Sequence, residues 1–145
     1  MSWDTTGKYD KIPESEICGK VTKKTVDFAK KFGEYLAEEK DSNYEKALTT
    51  SQLRRFFGEV KRQQMNGYDE TDFQMLKPKL AYAVGRAEKE KSSEKNKHFK
   101  IRDFYEVMVD AIDKVEKSED KDKAFKNFIS IFEAIVAYHK AAEKK

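Results

Sequence analysis

The chain has 145 residues, with 30 Lys and Arg against 27 Asp and Glu, a formal net charge of +3 and a mean hydropathy of −0.91. A chain of this length forms one domain that buries roughly two thirds of its extended surface and is too short for two. Its ten Phe and seven Tyr supply apolar area that a disordered chain of equal charge lacks. No stretch approaches the roughly 18 apolar residues that cross a bilayer, and the first residues show no charged-then-apolar leader, so the expectation is a cytoplasmic protein with no membrane partner. Cys18 stands alone, which excludes an internal disulfide and a paired-thiol metal site.

Only six Gly and two Pro punctuate the chain, and apolar residues recur at helical spacing in long blocks. The fold class predicted is therefore all-α, a single-domain bundle of about five helices, with strand alternation nowhere sustained. Residues 1–19 hold Gly7, Pro13 and Gly19 without a clear period and read as an irregular N-terminal arm; residues 20–145 read as the helical bundle domain. Val21, Thr25, Phe28, Phe32 and Leu36 share one face and predict the first helix. Thr49 and Gln52 stand in the capping-box relation at the start of the second, which runs from about Thr50 to Met65 and stops at Asn66-Gly67. Leu53, Phe56, Phe57 and Val60 form its core stripe.

Asp69, Glu70 and Asp72 open a third helix whose stripe is Phe73, Leu76, Leu80, Ala83, Val84 and Ala87, with Pro78 kinking or restarting it. Residues 88–97 carry no apolar side chain and read as a solvated connection. Ile101, Phe104, Tyr105, Met108, Val109, Ile112 and Val115 then define a fourth helix, closed by the turn Lys117-Ser118-Glu119-Asp120. The apolar arc of the fifth, from Ala124 to His139, covers about half the circumference. An arc that wide calls for a central place in the bundle or an interface between subunits.

The charge is unevenly spread: residues 1–53 carry −1, residues 54–102 carry +6 and residues 103–145 carry −2. Concentrated positive charge is a footprint of phosphate or acidic-partner binding, although a solvated surface gives the same count. Arg54 with Lys61 and Arg55 with Arg62 lie seven residues apart and form two basic rows along the second helix. Arg55 also lies four residues before Glu59, where a plain surface pair is the competing expectation. On the third helix Lys79, Tyr82 and Arg86 place a ring between two cations. The ring can stack on a base and the cations can hold phosphates, or Tyr82 can sit at the edge of the core.

Catalysis finds little support. His98 and His139 have no cysteine, second histidine or carboxylate cluster at metal-ligand spacing, and there is no glycine-rich phosphate loop or nucleophile elbow. No enzymatic activity, catalytic residue, metal or cofactor is expected, and both histidines read as structural.

Three segments carry a resemblance: LTTSQLRRFF from Leu48 to Phe57, LKPKLAYAVGR from Leu76 to Arg86, and FEAIVAYHK from Phe132 to Lys140. In order and spacing they resemble the small helical subunit of the type III-A CRISPR–Cas effector, the second protein of the Csm complex, over residues 20–142. The resemblance implies a non-catalytic subunit of antiviral defence, present in several copies and stacked along the duplex of guide RNA and target RNA. Its partners would be those RNAs, other Csm subunits and copies of itself, with a homodimer in isolation left open. The residues expected to contact RNA are Arg54, Arg55, Lys61, Arg62, Lys77, Lys79, Tyr82, Arg86, Lys97 and Lys100. The alternative is a helical adaptor or homodimer that binds protein through the wide face of the fifth helix and holds no RNA.

Overall fold

The computed structural model describes residues 11–38, 45–90 and 98–143. Helix α1 spans Lys23–Ala37, α2 Thr50–Asn66, α3 Glu70–Gln74, α4 Leu76–Glu90, α5 Lys100–Glu116 and α6 Lys121–Ala142. The class is all-α. Two two-residue segments, β1 at Glu45–Lys46 and β2 at His98–Phe99, pair in parallel with Glu45 opposite His98, and so tie the connection after α1 to the entry of α5.

Several helix starts follow from local chemistry. Thr49 closes the expected capping box: its hydroxyl accepts from Gln52 N at 3.1 Å while Gln52 Oε1 accepts from Thr49 N at 2.8 Å. Asp69 and Asp120 cap α3 and α6 by accepting from Asp72 N at 2.9 Å and Lys123 N at 3.1 Å. α2 ends at Gly67, whose φ of 91° suits a residue without Cβ.

The third predicted helix is two helices, divided at Met75, which brings the helices among the described residues to six. Pro78 supplies the reason. It cannot donate to Gln74, and the break before Leu76 leaves it in the first turn of α4, where an amide has no intrahelical partner in any case. α4 also continues through Glu90, three residues into the stretch read as a connection. The Glu88 carboxylate holds that last turn by accepting from Arg102 Nη2 at 2.8 Å and Nε at 2.9 Å.

α6 takes the central position that its wide arc called for, packing against α1, α2, α5 and a single π-helical turn at Ser15–Gly19. That turn lies inside the segment read as irregular, and Ile12 and Ile17 on either side of its start are buried in the common core. α1 and α6 approach so closely at Gly33 that a Cβ there would lie 2.8 Å from both His139 N and Ile135 O. Phe56, Phe104 and Phe132 meet edge-to-face or tilted at centroid distances of 5.3–5.8 Å, joining α2, α5 and α6. His139 is buried and its Nε2 lies 2.7 Å from Leu48 O, which fixes the segment leading into α2 against α6. The expected structural role of this histidine is the one observed. No helix among the described residues is long and apolar enough to cross a membrane.

Candidate nucleic-acid interface

A groove of about 580 Å³ lies between α2 and α4. α2 presents Ser51, Gln52, Arg55 and Glu59 to it, and α4 presents Lys79, Tyr82, Ala83 and Arg86. The floor is apolar, built of Phe56, Leu80 and, from α5, Ile101 and Phe104. Four of the ten residues expected from sequence therefore line one groove: Arg55, Lys79, Tyr82 and Arg86. Tyr82 is 70% exposed, which removes the core-edge reading of its ring.

Glu59 organises the rim. Its carboxylate accepts from Arg62 Nη2 at 2.6 Å, Lys79 Nζ at 3.0 Å and Gln63 Nε2 at 3.1 Å, bridging α2 to α4 at one end of the groove. Hydrogen bonds from Arg62 chiefly, then from Gln63 and Lys79, outweigh its partial burial and hold the carboxyl down at about 2 against the usual 4.5. With Glu59 engaged in this way, the surface pair expected for Arg55 is not formed. Arg54 and Arg55 have no ion-pair partner among the described residues, and both are exposed.

The other expected contacts are distributed differently. Lys61 turns to α6, where its amine lies 2.8 Å from Glu133 Oε2 and 5.7 Å over the Phe57 ring. Arg62 is exposed but turned onto Glu59. Lys77 donates to Asp113 on α5 and does not line the groove. The two basic rows of α2 are thus broken in its second half, where Glu133 of α6 reaches Lys61 and Glu59 of α2 itself holds Arg62. Lys97 lies outside the described residues.

Lys100 requires a correction. Its side chain is 0% exposed; the amine donates to Glu38 O at 2.7 Å and Tyr35 O at 2.8 Å and lies 4.0 Å over the Tyr35 ring. It caps the carbonyl end of α1 from inside the protein and has no path to a phosphate. Tyr35 is held in turn by a 2.5 Å hydrogen bond to Asp103 Oδ2.

Sequence reasoning missed Glu59 as the shared acceptor of the rim and missed the contribution of α5 to the floor. The first had a local signal, since Arg62 follows Glu59 at i+3 as Arg55 precedes it at i−4; the second had none. No group of three or more His, Cys, Asp or Glu among the described residues is placed to hold a metal ion. The arrangement offers cations and an exposed ring around an apolar trough, which suits a polyanion that carries flat apolar groups.

A family model described as Csm2 Type III-A matches residues 19–145, taking in all six helices. No curated protein and no solved structure gives a significant match. The three segments that resemble the type III-A small subunit all lie inside the matched span, in α2, α4 and α6. The chain accordingly belongs to the Csm2 Type III-A family, the small helical subunits of the type III-A CRISPR–Cas Csm complex.

Proposed function

We propose that this chain is the RNA-holding, non-catalytic small subunit of a cytoplasmic type III-A interference complex, several copies of which stack along the guide RNA–target RNA duplex. The observation that carries the reading is the convergence of Arg55, Lys79 and Arg86 with the exposed Tyr82 on one groove between α2 and α4. Cations on both rims neutralise phosphates and release counterions, and neither contribution depends on base identity. Binding is therefore sequence-independent, as a subunit repeated along a variable guide requires. Arg54, exposed one residue from the groove, extends the same surface. The wide apolar arc of α6, through which an adaptor would bind, packs against α1, α2, α5 and the π-helical turn, which supports the RNA-holding reading over it.

Fluorescence anisotropy with two unrelated single-stranded RNAs over a salt series tests this. Equal affinities for the two RNAs are expected, weakened by salt and lost in Arg54→Ala/Arg55→Ala and Lys79→Ala/Arg86→Ala variants that keep wild-type helicity. Absence of binding at low salt, both to free RNA and to RNA presented with the other Csm subunits, would overturn the proposal.

A further inference from the structure

Phosphate contacts account for the cations on the rims but not for the trough between them. A floor of Phe56, Leu80, Ile101 and Phe104 offers a phosphate neither a charge nor a hydrogen-bond donor. At about 580 Å³ the groove falls within the roughly 300–1,000 Å³ typical of clefts that hold small organic ligands, and has room for a base. We infer that the groove receives an unpaired nucleobase of the bound RNA, inserted between the rims and stacked on the ring of Tyr82, while Arg55 and Arg86 hold the phosphates on either side of it. This rests on the RNA-holding reading above and assigns that site a second kind of contact.

Three features favour a base over an apolar protein side chain. The rims carry cations from both flanking helices, matching the negative charge that accompanies every base on both sides. Tyr82 is 70% exposed at the lip, where a ring on a helix has no packing role and is available for stacking. Of the neutral polar side chains that line the groove, Ser51 contributes a hydroxyl and Gln52 an amide whose Oε1 is committed to Thr49 N. A site so built accepts any base. It gives affinity for unpaired nucleotides without reading sequence, which is compatible with the backbone contacts of the same surface.

The experiment compares a short oligouridine with an oligomer of the same length in which every nucleotide is a reduced abasic ribose phosphate, so that the phosphates are retained and the bases removed. Wild type is expected to bind the oligouridine about tenfold more tightly, the effect of one stacked base. Tyr82→Ala should erase that difference and Tyr82→Phe should keep it. Arg55→Ala/Arg86→Ala should weaken both ligands in proportion. Since Tyr82 is exposed, the fold survives its replacement, which circular dichroism checks. Equal affinity of wild type for the two oligomers would overturn the base pocket while leaving the RNA-holding reading in place. A preference for bases that persists in Tyr82→Ala would also overturn it. Failure to bind either oligomer at low salt, both free and presented with the other Csm subunits, would remove both readings.

Discussion

Replacing Glu59 by Gln should make the protein a better RNA binder and a slightly less stable one. In wild type the carboxylate holds Arg62 at 2.6 Å and Lys79 at 3.0 Å, so one negative charge sits on the rim and partly neutralises two half-exposed cations. A phosphate about 7 Å from that charge is repelled by about 0.6 kcal/mol in the dielectric of water, and removing the charge leaves Arg62 and Lys79 free to turn outward. Glu59→Gln should therefore bind RNA about threefold more tightly near 50 mM salt, with the gain shrinking as salt rises. Anisotropy titrations of wild type and variant over the same salt series measure this. The side-chain amide preserves the shape and the contact with Gln63, and loss of a surface cluster costs at most about 1 kcal/mol, so the fold is retained. Unchanged or weakened affinity in a folded Glu59→Gln protein would refute the placing of RNA on this rim.

Other outcomes follow from the same geometry. Because the Glu59 carboxyl is held at about 2, below its unfolded value near 4.5, its contribution to stability is complete above the unfolded value and is lost as pH falls toward 2. Wild type should thus lose more stability than Glu59→Gln in acid denaturation between these limits. Lys100→Met leaves Tyr35 O and Glu38 O without their buried donor; part of that cost is offset by removal of a buried charge. The net loss is about 2–4 kcal/mol and Tm falls by roughly 5–10 °C, with RNA affinity of the folded protein unchanged. Weakened RNA binding at unchanged Tm would contradict the burial of Lys100. Gly33→Ala drives a Cβ against His139 N and Ile135 O, backbone atoms that cannot swing aside. Chemical denaturation should show a loss of about 1–3 kcal/mol.

Features controlled by neighbours in sequence were legible before the structure. The capping box at Thr49 and Gln52, the Gly67 stop and the disturbance caused by Pro78 each depend on atoms within a few residues. The central place of α6 was legible because an apolar arc of half a circumference has to be covered. Among site residues, Lys79, Tyr82 and Arg86 could be grouped from spacing on one helix, whereas the spacing that pairs Arg55 with Arg62 does not place Arg55 in this groove. What was not legible depended on tertiary partners. Lys61 and Lys77 count as surface cations until α6 brings Glu133 and α5 brings Asp113 to them. Lys100 reads as one more member of a basic stretch, and nothing local shows that the β1–β2 pairing delivers it to the carbonyl end of α1. The excess of +6 in the middle of the chain therefore overstates the positive charge available to a ligand. The groove itself depends on α2 and α4 flanking a floor partly supplied by α5, an arrangement no single-helix pattern encodes.

The most direct test of where RNA lies is photo-crosslinking of RNA containing 4-thiouridine to the assembled protein, followed by mass spectrometry of the linked peptides. Crosslinks are expected in the peptides of α2 and α4 that carry Arg55, Tyr82 and Arg86, reduced in Tyr82→Ala. Crosslinks confined to the exposed lysines of α1, with α2 and α4 unlabelled, would contradict it.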